Sequence, residues 1–518
     1  MPPAAPLAAP APATPEAAVR WPGQLAAVDL GSNSFRLEIG QVSGGRYRRI
    51  DYLKETVRLG GGLDAEGMLV EDAAARGLAC LQRFARRLEG FEPSQVRAVA
   101  TQTLREARNR DLFLARAQMA LGLPIEVISG REEARLIYAG VARLQPSHAP
   151  RLVIDIGGRS TEMILGKGLK PLRAESFQVG SVGLSMRYFP EGRFTEKAFR
   201  NAQVAAGAEL EEALDPFAPQ HWREALGSSG TVGAVSGVLE ANGIDAGRVT
   251  PRGLQWLMER CLDAGSAERL QLPGLKEERK PVIGGGLAIL YTLAAQFGVH
   301  SLQPARGALR QGVIFDLDER QHADVRETTG HDMREASVRA LQRRFIVDTA
   351  QAERVTRTAM RMHDKVRPDA PLETRRELQW AGALHEVGMM ISHHDHHRHS
   401  AYVLAHVDAP GFSQSQLRRV AALVLGQRGG LRKVEAALLD DGFAWQLLML
   451  RLAVIQAHAR GATDPARLAL RRDGAIAKVT LDRGWAKRNP RTLHLLHEEA
   501  DAWTRTGRLG LVLADTGG

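Results

Sequence analysis

Between Leu152 and Glu162 an apolar run, ending Ile154-Asp155-Ile156, drives an acidic residue into Gly157-Gly158-Arg159. Two hydroxyls, Ser160 and Thr161, and a second acid, Glu162, follow. These are the residue types from which a chain builds a phosphate cradle. Glycine lets the backbone approach an anion and turn its N–H groups toward it, Ser and Thr add donors, and carboxylates facing phosphate oxygens need a divalent cation between them. The same grammar occurs earlier, where Ala26 to Leu30 carries Asp29 into Gly31-Ser32-Asn33-Ser34. A single strand-Asp-Gly turn is ordinary hairpin chemistry. Two copies, each followed by another strand, predict two facing halves.

Periodicity supplies the elements that would hold these loops. Gln24 to Leu30, Phe35 to Val42 and Arg46 to Leu53 read as a three-strand meander, Glu71 to Leu88 as a helix, Val96 to Ala100 as a buried strand and Leu112 to Leu121 as a second helix. After the strand Ile125 to Ile128, Ser129 is placed to N-cap a helix through Val141, with Glu132 as the capping-box acid. Gln145 to Pro150 reads as a hinge. The pattern then repeats: strands at Leu152 to Ile156, Glu162 to Leu165 and Leu172 to Gln178, a helix from Glu196 to Leu214, and the strand Ala225 to Ser228. That last strand enters a further turn, Gly227-Ser228-Ser229-Gly230-Thr231, with a helix behind it. Lys276 to Phe297 and Leu309 to Leu317 complete this half. From His331 the texture changes to Arg- and His-rich amphipathic helices, and Ala475 to Leu481 and Arg508 to Ala514 read as strands around a helix, Leu493 to Trp503. The predicted organisation is a Pro/Ala-rich disordered tail (1–21), two α/β halves (22–147 and 148–322), a helical domain (323–465) and a small α+β module (466–518).

A chain of 518 residues accommodates several cores, and with 44% hydrophobic and 25% charged residues it has the composition of an ordinary soluble protein. Two cysteines, Cys80 and Cys261, form no disulfide framework and no metal spacing, so a reducing compartment, the cytoplasm, is expected. A formal net charge of +10 favours a polyanionic partner, whether nucleic acid, inorganic polyphosphate or an acidic membrane surface, and argues against a cationic substrate. No apolar run approaches the ~20 residues of a membrane helix. Met1 to Ala18 lacks a basic start and is broken by prolines, which reads as a tail and not as a signal peptide.

Taken with the Glu-Glu-Ala-Arg helix and the Gly-Ser-Ser-Gly-Thr turn, the chain resembles the exopolyphosphatase and guanosine pentaphosphate phosphatase family, and its long multi-domain members in particular. Ala27 to Phe35 is similar to the family's first phosphate motif, Ser129 to Leu136 to its catalytic helix and Ile154 to Glu162 to its second phosphate motif. The likeness continues through Leu275 to Lys280, Leu384 to Gly388 and His397 to Ser400. It implies a fold of two actin-like domains, of the sugar kinase and heat-shock ATPase type, facing across a cleft, with a helical domain related to HD-type phosphohydrolases behind them.

The resemblance also implies roles. Glu133 would polarise the attacking water, while Glu132, about 100° around the helix, caps. Asp155 and Glu162 would hold Mg²⁺, directly or through water, with Asp29 doing likewise from the other half. Gly31, Ser32, Asn33 and Ser34 would cradle phosphate on one side and Gly157, Gly158, Ser160 and Thr161 on the other; Gly230 and Thr231 would extend the track at their helix N-terminus. Arg105 and Arg279 are candidate phosphate clamps. Arg159 stands where the family pattern has a third glycine. If positive φ is required there, its side chain costs on the order of 1 kcal/mol, and it either fills the phosphate pocket or points along the cleft and binds the next phosphate. The cluster His393, His394, His396, His397 and His399, with His385 upstream, invites a metal reading, but His385 is followed by Glu386 and no distal acid matches. These histidines are instead expected to line a basic loop of a remnant helical domain that extends a positive channel or forms a dimer interface.

The expected activity is Mg²⁺-dependent removal of terminal orthophosphate from inorganic polyphosphate by a homodimer. Hydrolysis of guanosine pentaphosphate at the same site is the alternative within the family. A sensor that binds polyphosphate or the alarmone without turnover, motivated by Arg159, is the alternative outside catalysis.

Overall fold

The computed structural model describes residues 23–322, 332–461 and 468–515. The Pro/Ala-rich tail and the predicted boundaries at 323 and 466 lie outside the described residues. In the first lobe, β1 (Gln24–Leu30), β2 (Phe35–Ser43), β3 (Arg46–Glu55), β4 (Val96–Ala100) and β5 (Ile125–Val127) form a sheet in the order β3-β2-β1-β4-β5. In the second lobe, β6 (Arg151–Ile156), β7 (Thr161–Lys167), β8 (Lys170–Phe177), β9 (Glu224–Ser228) and β10 (Leu302–Pro304) take the order β8-β7-β6-β9-β10. The two topologies are the same, as the duplicated motif predicts. The central strands β1 and β6 are buried almost throughout, which is why they read as unbroken apolar runs.

Register sets the two glycine loops. Leu30 pairs with Phe35 and Ile156 with Thr161, so each hairpin carries a four-residue loop, Gly31 to Ser34 and Gly157 to Ser160. Each loop begins with glycine for the same reason: a Cβ would come within 3.0 Å of the Ser34 carbonyl oxygen at Gly31 and within 3.1 Å of the Ser160 carbonyl oxygen at Gly157. Because β1 runs antiparallel to β2 but parallel to β4, and β6 likewise with β7 and β9, both loops lie where the direction of pairing changes, the usual ligand edge of an α/β sheet.

The lobes are joined by an exchange of helices. Gly130–Leu144 follows β5 of the first lobe but packs on β7 and β8, while Leu309–His322 follows β10 and packs on β1, β2 and β4. The two helices cross at glycines. A Cβ on Gly312 would come within 1.8 Å of the Leu136 carbonyl oxygen, and one on Gly140 within 2.4 Å of that of Ala308. Beside the crossing, Asp316 accepts from Arg97 (2.8 Å), Arg135 (2.5 Å) and Arg320 (2.7 Å). Burial alone would raise the Asp316 carboxyl, but the guanidinium groups of Arg320, Arg135 and Arg97 outweigh it and hold it well below the usual carboxylate range.

Glu132 differs from its predicted role. Ser129 does cap the helix, accepting from the Glu132 N–H at 3.2 Å, but the Glu132 carboxylate turns away from the cap. It accepts from Nε and Nη2 along one guanidinium edge of Arg135 (2.7 and 2.8 Å) and from the Gly411 N–H (2.8 Å) of the helical domain. Arg320 donates to the Gly411 carbonyl at 2.8 Å. A buried arginine beside Glu132 satisfies its charge better than a single backbone N–H.

The helices between Met333 and Gln456 share one apolar core with the C-terminal sheet, β11 (Leu468–Asp473), β12 (Ile476–Leu481) and β13 (Gly510–Asp515): Trp380, Trp445 and Leu448 belong to the same cluster as Leu470, Val479 and Trp503. At its centre lies Asp441–Gln456, buried on every side. Of the histidines predicted to line a basic loop, His393 and His394 lie exposed in the loop before a helix, but His396 and His397 are placed otherwise. His396–His406 is a helix, His396 and His397 are buried within it, and burial pushes each imidazole down to about 4, so both are neutral. No described helix is long and apolar enough to cross a membrane.

Gly312→Ala should lower the thermal midpoint sharply, because overpacking of this kind costs typically 1–3 kcal/mol or more, whereas Gly233→Ala, with open space around it, should leave it unchanged or raise it. Thermal unfolding followed by circular dichroism checks both.

Candidate active site

The two loops and the exchanged helices enclose one cavity of about 80 Å³. Asp29, near the end of β1, and Asp155, near the end of β6, reach it from opposite lobes, and Glu133 reaches it from the first turn of the Gly130–Leu144 helix. Arg105 holds Glu133 in place: its Nη1 donates to Glu133 Oε2 at 2.8 Å and to the Ile128 carbonyl at 3.0 Å. Carboxylates gathered out of water repel one another and lose solvation, so protonation becomes easier. Burial pushes Glu133 up to about 7; Arg105 opposes the shift, and the charges of Asp29 and Asp155 add to it. Burial likewise raises Asp155 to about 6, against a hydrogen bond from Ser228 and the charge of Arg36. Glu162 is driven well above the usual carboxylate range by burial and then by Glu133 and Asp155.

Three arginines bring the opposite charge. Arg36 and Arg310 each place Nη1 3.5 Å from Asp29 Oδ2, and the buried Nε of Arg36 has no hydrogen-bond partner among the described residues. Arg279 lies against the Gly230 turn, where a Cβ would fall 1.8 Å from its Nη2. Burial and the neighbouring Arg36 both lower the Arg279 guanidinium from its ordinary value. Cations crowded together in this way are an anion site. The turn between β9 and its helix carries strain as well: Ser229 has φ +81°, in the left-handed region, and its hydroxyl donates to the Ile156 carbonyl at 2.8 Å, as that of Thr231 does at 2.9 Å.

Of the residues singled out from sequence, Asp29, Gly31, Ser32, Asn33, Ser34, Glu133, Asp155, Gly157, Gly158, Ser160, Gly230, Thr231 and Arg279 line this cavity. Arg105, Arg159, Thr161 and Glu162 do not. Thr161 opens β7, so its hydroxyl is directed into the fold and donates to the Val179 carbonyl at 2.6 Å. Glu162 is buried behind the cavity and accepts from Ser176 at 2.7 Å. Arg105 spends its guanidinium on Glu133, Ile128 and Gln102, although its Nη2 is buried without a partner. Arg159 is not among the residues of positive φ, so the strain expected of it does not arise; its side chain neither fills the pocket nor follows it, but crosses to the first lobe. Arg36, Arg310, Thr101, Ser181 and Ser229 line the cavity and were not anticipated. Arg36 carried a weak signal, as a cationic residue two positions past the first loop; Arg310 carried none, because only the helix exchange brings it there.

Among the described residues no three His, Cys, Asp or Glu side chains converge as a metal cage. Mg²⁺ does not require one, since it keeps several waters and is held through one or two carboxylates and substrate phosphates. Asp29 and Asp155, hard oxygen donors reaching one cavity from the two lobes, fit that mode.

The pKa shifts fix the sign of a stability effect. With folded-state values above the unfolded ones, Glu133 and Asp155 favour folding fully below about pH 4, and this contribution is lost as pH rises through about 6 to 7. In chelator-treated protein, Glu133→Gln should therefore melt above wild type at pH 8, by the equivalent of about 1–3 kcal/mol, with the gap closing toward pH 5 in calorimetric scans. Gly230→Ala should displace Arg279 and weaken binding of inorganic tripolyphosphate about 10-fold or more, as loss of a charge-assisted hydrogen bond does, with an unchanged melting temperature; isothermal titration reads it.

The model of the Ppx/GppA phosphatase family matches residues 39–321, and that of Ppx/GppA phosphatase domain III matches residues 333–500. Among solved structures, an exopolyphosphatase from Cytophaga hutchinsonii shares the fold, at 23% identity over 57% of this chain and 98% of its own, with a TM-score of 0.52. An exopolyphosphatase-like protein is 26% identical over 57% of this chain and 97% of its own, with a TM-score of 0.51. With the family match running over more than half of the chain, from within β2 to the Leu309–His322 helix, the chain belongs to the Ppx/GppA phosphatase family.

Proposed function

We propose that the protein is an exopolyphosphatase, which hydrolyses the terminal phosphoanhydride bond of inorganic polyphosphate and releases orthophosphate. The observation that carries this reading is a buried carboxylate raised to about 7, Glu133, at the floor of a cavity walled by two hydroxyl-rich glycine loops and three arginines. A base poised near the working pH is suited to take a proton from water as it attacks phosphorus in line. The loops at Gly31–Ser34 and Gly157–Ser160 would grip the terminal phosphoryl oxygens from either lobe, and Arg36, Arg279 and Arg310 would stabilise the charge that passes to the leaving phosphate. Mg²⁺, held by Asp29 and Asp155, would neutralise phosphate oxygens facing those carboxylates.

A long anion is favoured over a nucleotide by a second cavity, of about 530 Å³, between the first lobe and the helical domain. Arg105 lines it together with Arg110, His406 and Arg418, so a run of basic groups leads away from the catalytic carboxylate. Arg418 is pressed below its ordinary value by burial and by Arg110, a crowding that a polyanion would relieve.

Phosphate release with Mg²⁺ should be faster from long-chain polyphosphate than from guanosine pentaphosphate, and Glu133→Gln should lose on the order of 10²–10⁴-fold in rate. A higher kcat/KM on the pentaphosphate would make the protein an alarmone phosphatase. Tight binding without release by the wild type would make it a sensor.

A further inference from the structure

Arg159 belongs to the Gly157–Ser160 loop of the second lobe, yet its guanidinium bonds to the first. Its Nε donates to Glu106 Oε2 at 2.7 Å, its Nη2 lies 2.7 Å from the same oxygen, and its Nη1 donates to the Gly60 carbonyl at 3.1 Å. The backbone beneath it is fixed by close packing. A Cβ on Gly180 would fall 2.4 Å from Arg159 N, and the Gly158 carbonyl accepts from Val182 N–H at 2.8 Å. On the receiving side Gly60 is equally confined, since a Cβ there would meet Arg159 Cδ at 2.9 Å and Ser32 Cβ at 3.0 Å. The Gly60 N–H in turn donates to the Ser32 carbonyl of the first phosphate loop at 2.8 Å.

From Glu106 a chain of side-chain hydrogen bonds runs to the candidate base. With Oε2 held by Arg159, Glu106 accepts from Gln102 Nε2 on Oε1 at 2.7 Å. An amide has one donating and one accepting end, so this contact turns the Gln102 carbonyl toward Arg105, whose Nε donates to it at 2.8 Å. Arg105 then donates from Nη1 to Glu133 Oε2 at 2.8 Å. Each donor meets an acceptor without a break. Reversal of the Gln102 amide would set its NH₂ against the Arg105 guanidinium, donor against donor.

We propose that Arg159 is a positioning residue acting across the cleft: by holding Glu106 and the Gly60 carbonyl it fixes Gln102, through Gln102 it fixes Arg105, and through Arg105 the Glu133 carboxylate. The inference rests on the reading of Glu133 as the catalytic carboxylate. An ion pair whose partners are both 25% exposed stabilises a fold little, so its consequence lies in geometry, where a small misplacement of a reacting group costs up to about 100-fold in rate.

The test compares full-length Arg159→Gly, Arg159→Lys, Glu106→Gln and the Arg159→Gly/Glu106→Gln double variant for orthophosphate release across polyphosphate concentrations at saturating Mg²⁺, with Glu133→Gln as reference. Arg159→Gly and Glu106→Gln should each lose about 10- to 100-fold in kcat while KM moves less than about threefold. The double variant should be no slower than the worse single one, since both cut the same chain. Arg159→Lys should recover part of the loss, its ammonium reaching Glu106 or Gly60 but not both. A wild-type kcat in Glu106→Gln, a rise in KM alone in Arg159→Gly, or faster turnover in either would overturn the proposal while Glu133→Gln remained inactive. Activity persisting in Glu133→Gln would overturn the catalytic reading itself and the relay with it.

Discussion

Four carboxylates, Asp29, Glu133, Asp155 and Glu162, are buried between two lobes that each contribute a glycine loop, and the rest of the structure answers that concentration of charge. Isolated carboxylates out of water are costly. Here they are met by Arg105 on Glu133, by Arg36 and Arg310 beside Asp29, and by hydroxyls of Ser176 and Ser228. What is left uncompensated raises Glu133 to about 7 and Asp155 to about 6, and among the described residues Arg36 Nε and Arg105 Nη2 are buried without a hydrogen-bond partner. An arrangement with acids and bases both short of partners is poised for a ligand that brings anions and a cation together.

Such a site survives only on a rigid frame. The crossing of the two exchanged helices at Gly140 and Gly312 brings their backbones into contact, and the buried Arg97, Arg135, Arg320 and Asp316 network locks that contact. Neighbouring acids divide the work. Glu132 is committed to Arg135 and, through Gly411, to the helical domain, while Glu133 one residue later faces the cavity. The Gly130–Leu144 helix is therefore anchored on both lobes and on the helical domain at one turn, and the polar chain from Arg159 reaches the same turn from across the cleft.

The helical domain contributes to this frame without contributing to the first cavity. Its apolar core is continuous with the C-terminal sheet, and its histidines show how composition misleads. His385 donates from Nδ1 to the Gly382 carbonyl (2.8 Å) and is pushed down to about 4 by burial, as His396 and His397 are. A run of histidines that looks basic in sequence is largely neutral where it is buried.

The sequence alone determined the strands, the two loops and the acids beside them, because these depend on local rules: an apolar run must be a buried strand, and a four-residue loop that folds back on its own carbonyl must start with glycine. The bounds of β1 and β4 and the Ser129 cap follow directly from such rules. Periodicity misses Asp441–Gln456, because a helix buried on nearly every face has no apolar stripe to detect; it also misses Pro251–Ala264, although that helix buries one face only, through Leu254, Leu257 and Cys261. Tertiary structure alone decided everything that depends on contacts distant in the chain: that Arg310 reaches Asp29, that Glu132 grips Gly411 and that Arg159 bonds Glu106 and Gly60. A long charged side chain has several partners within reach, and which one it takes is fixed by the packing of backbones that no local pattern records.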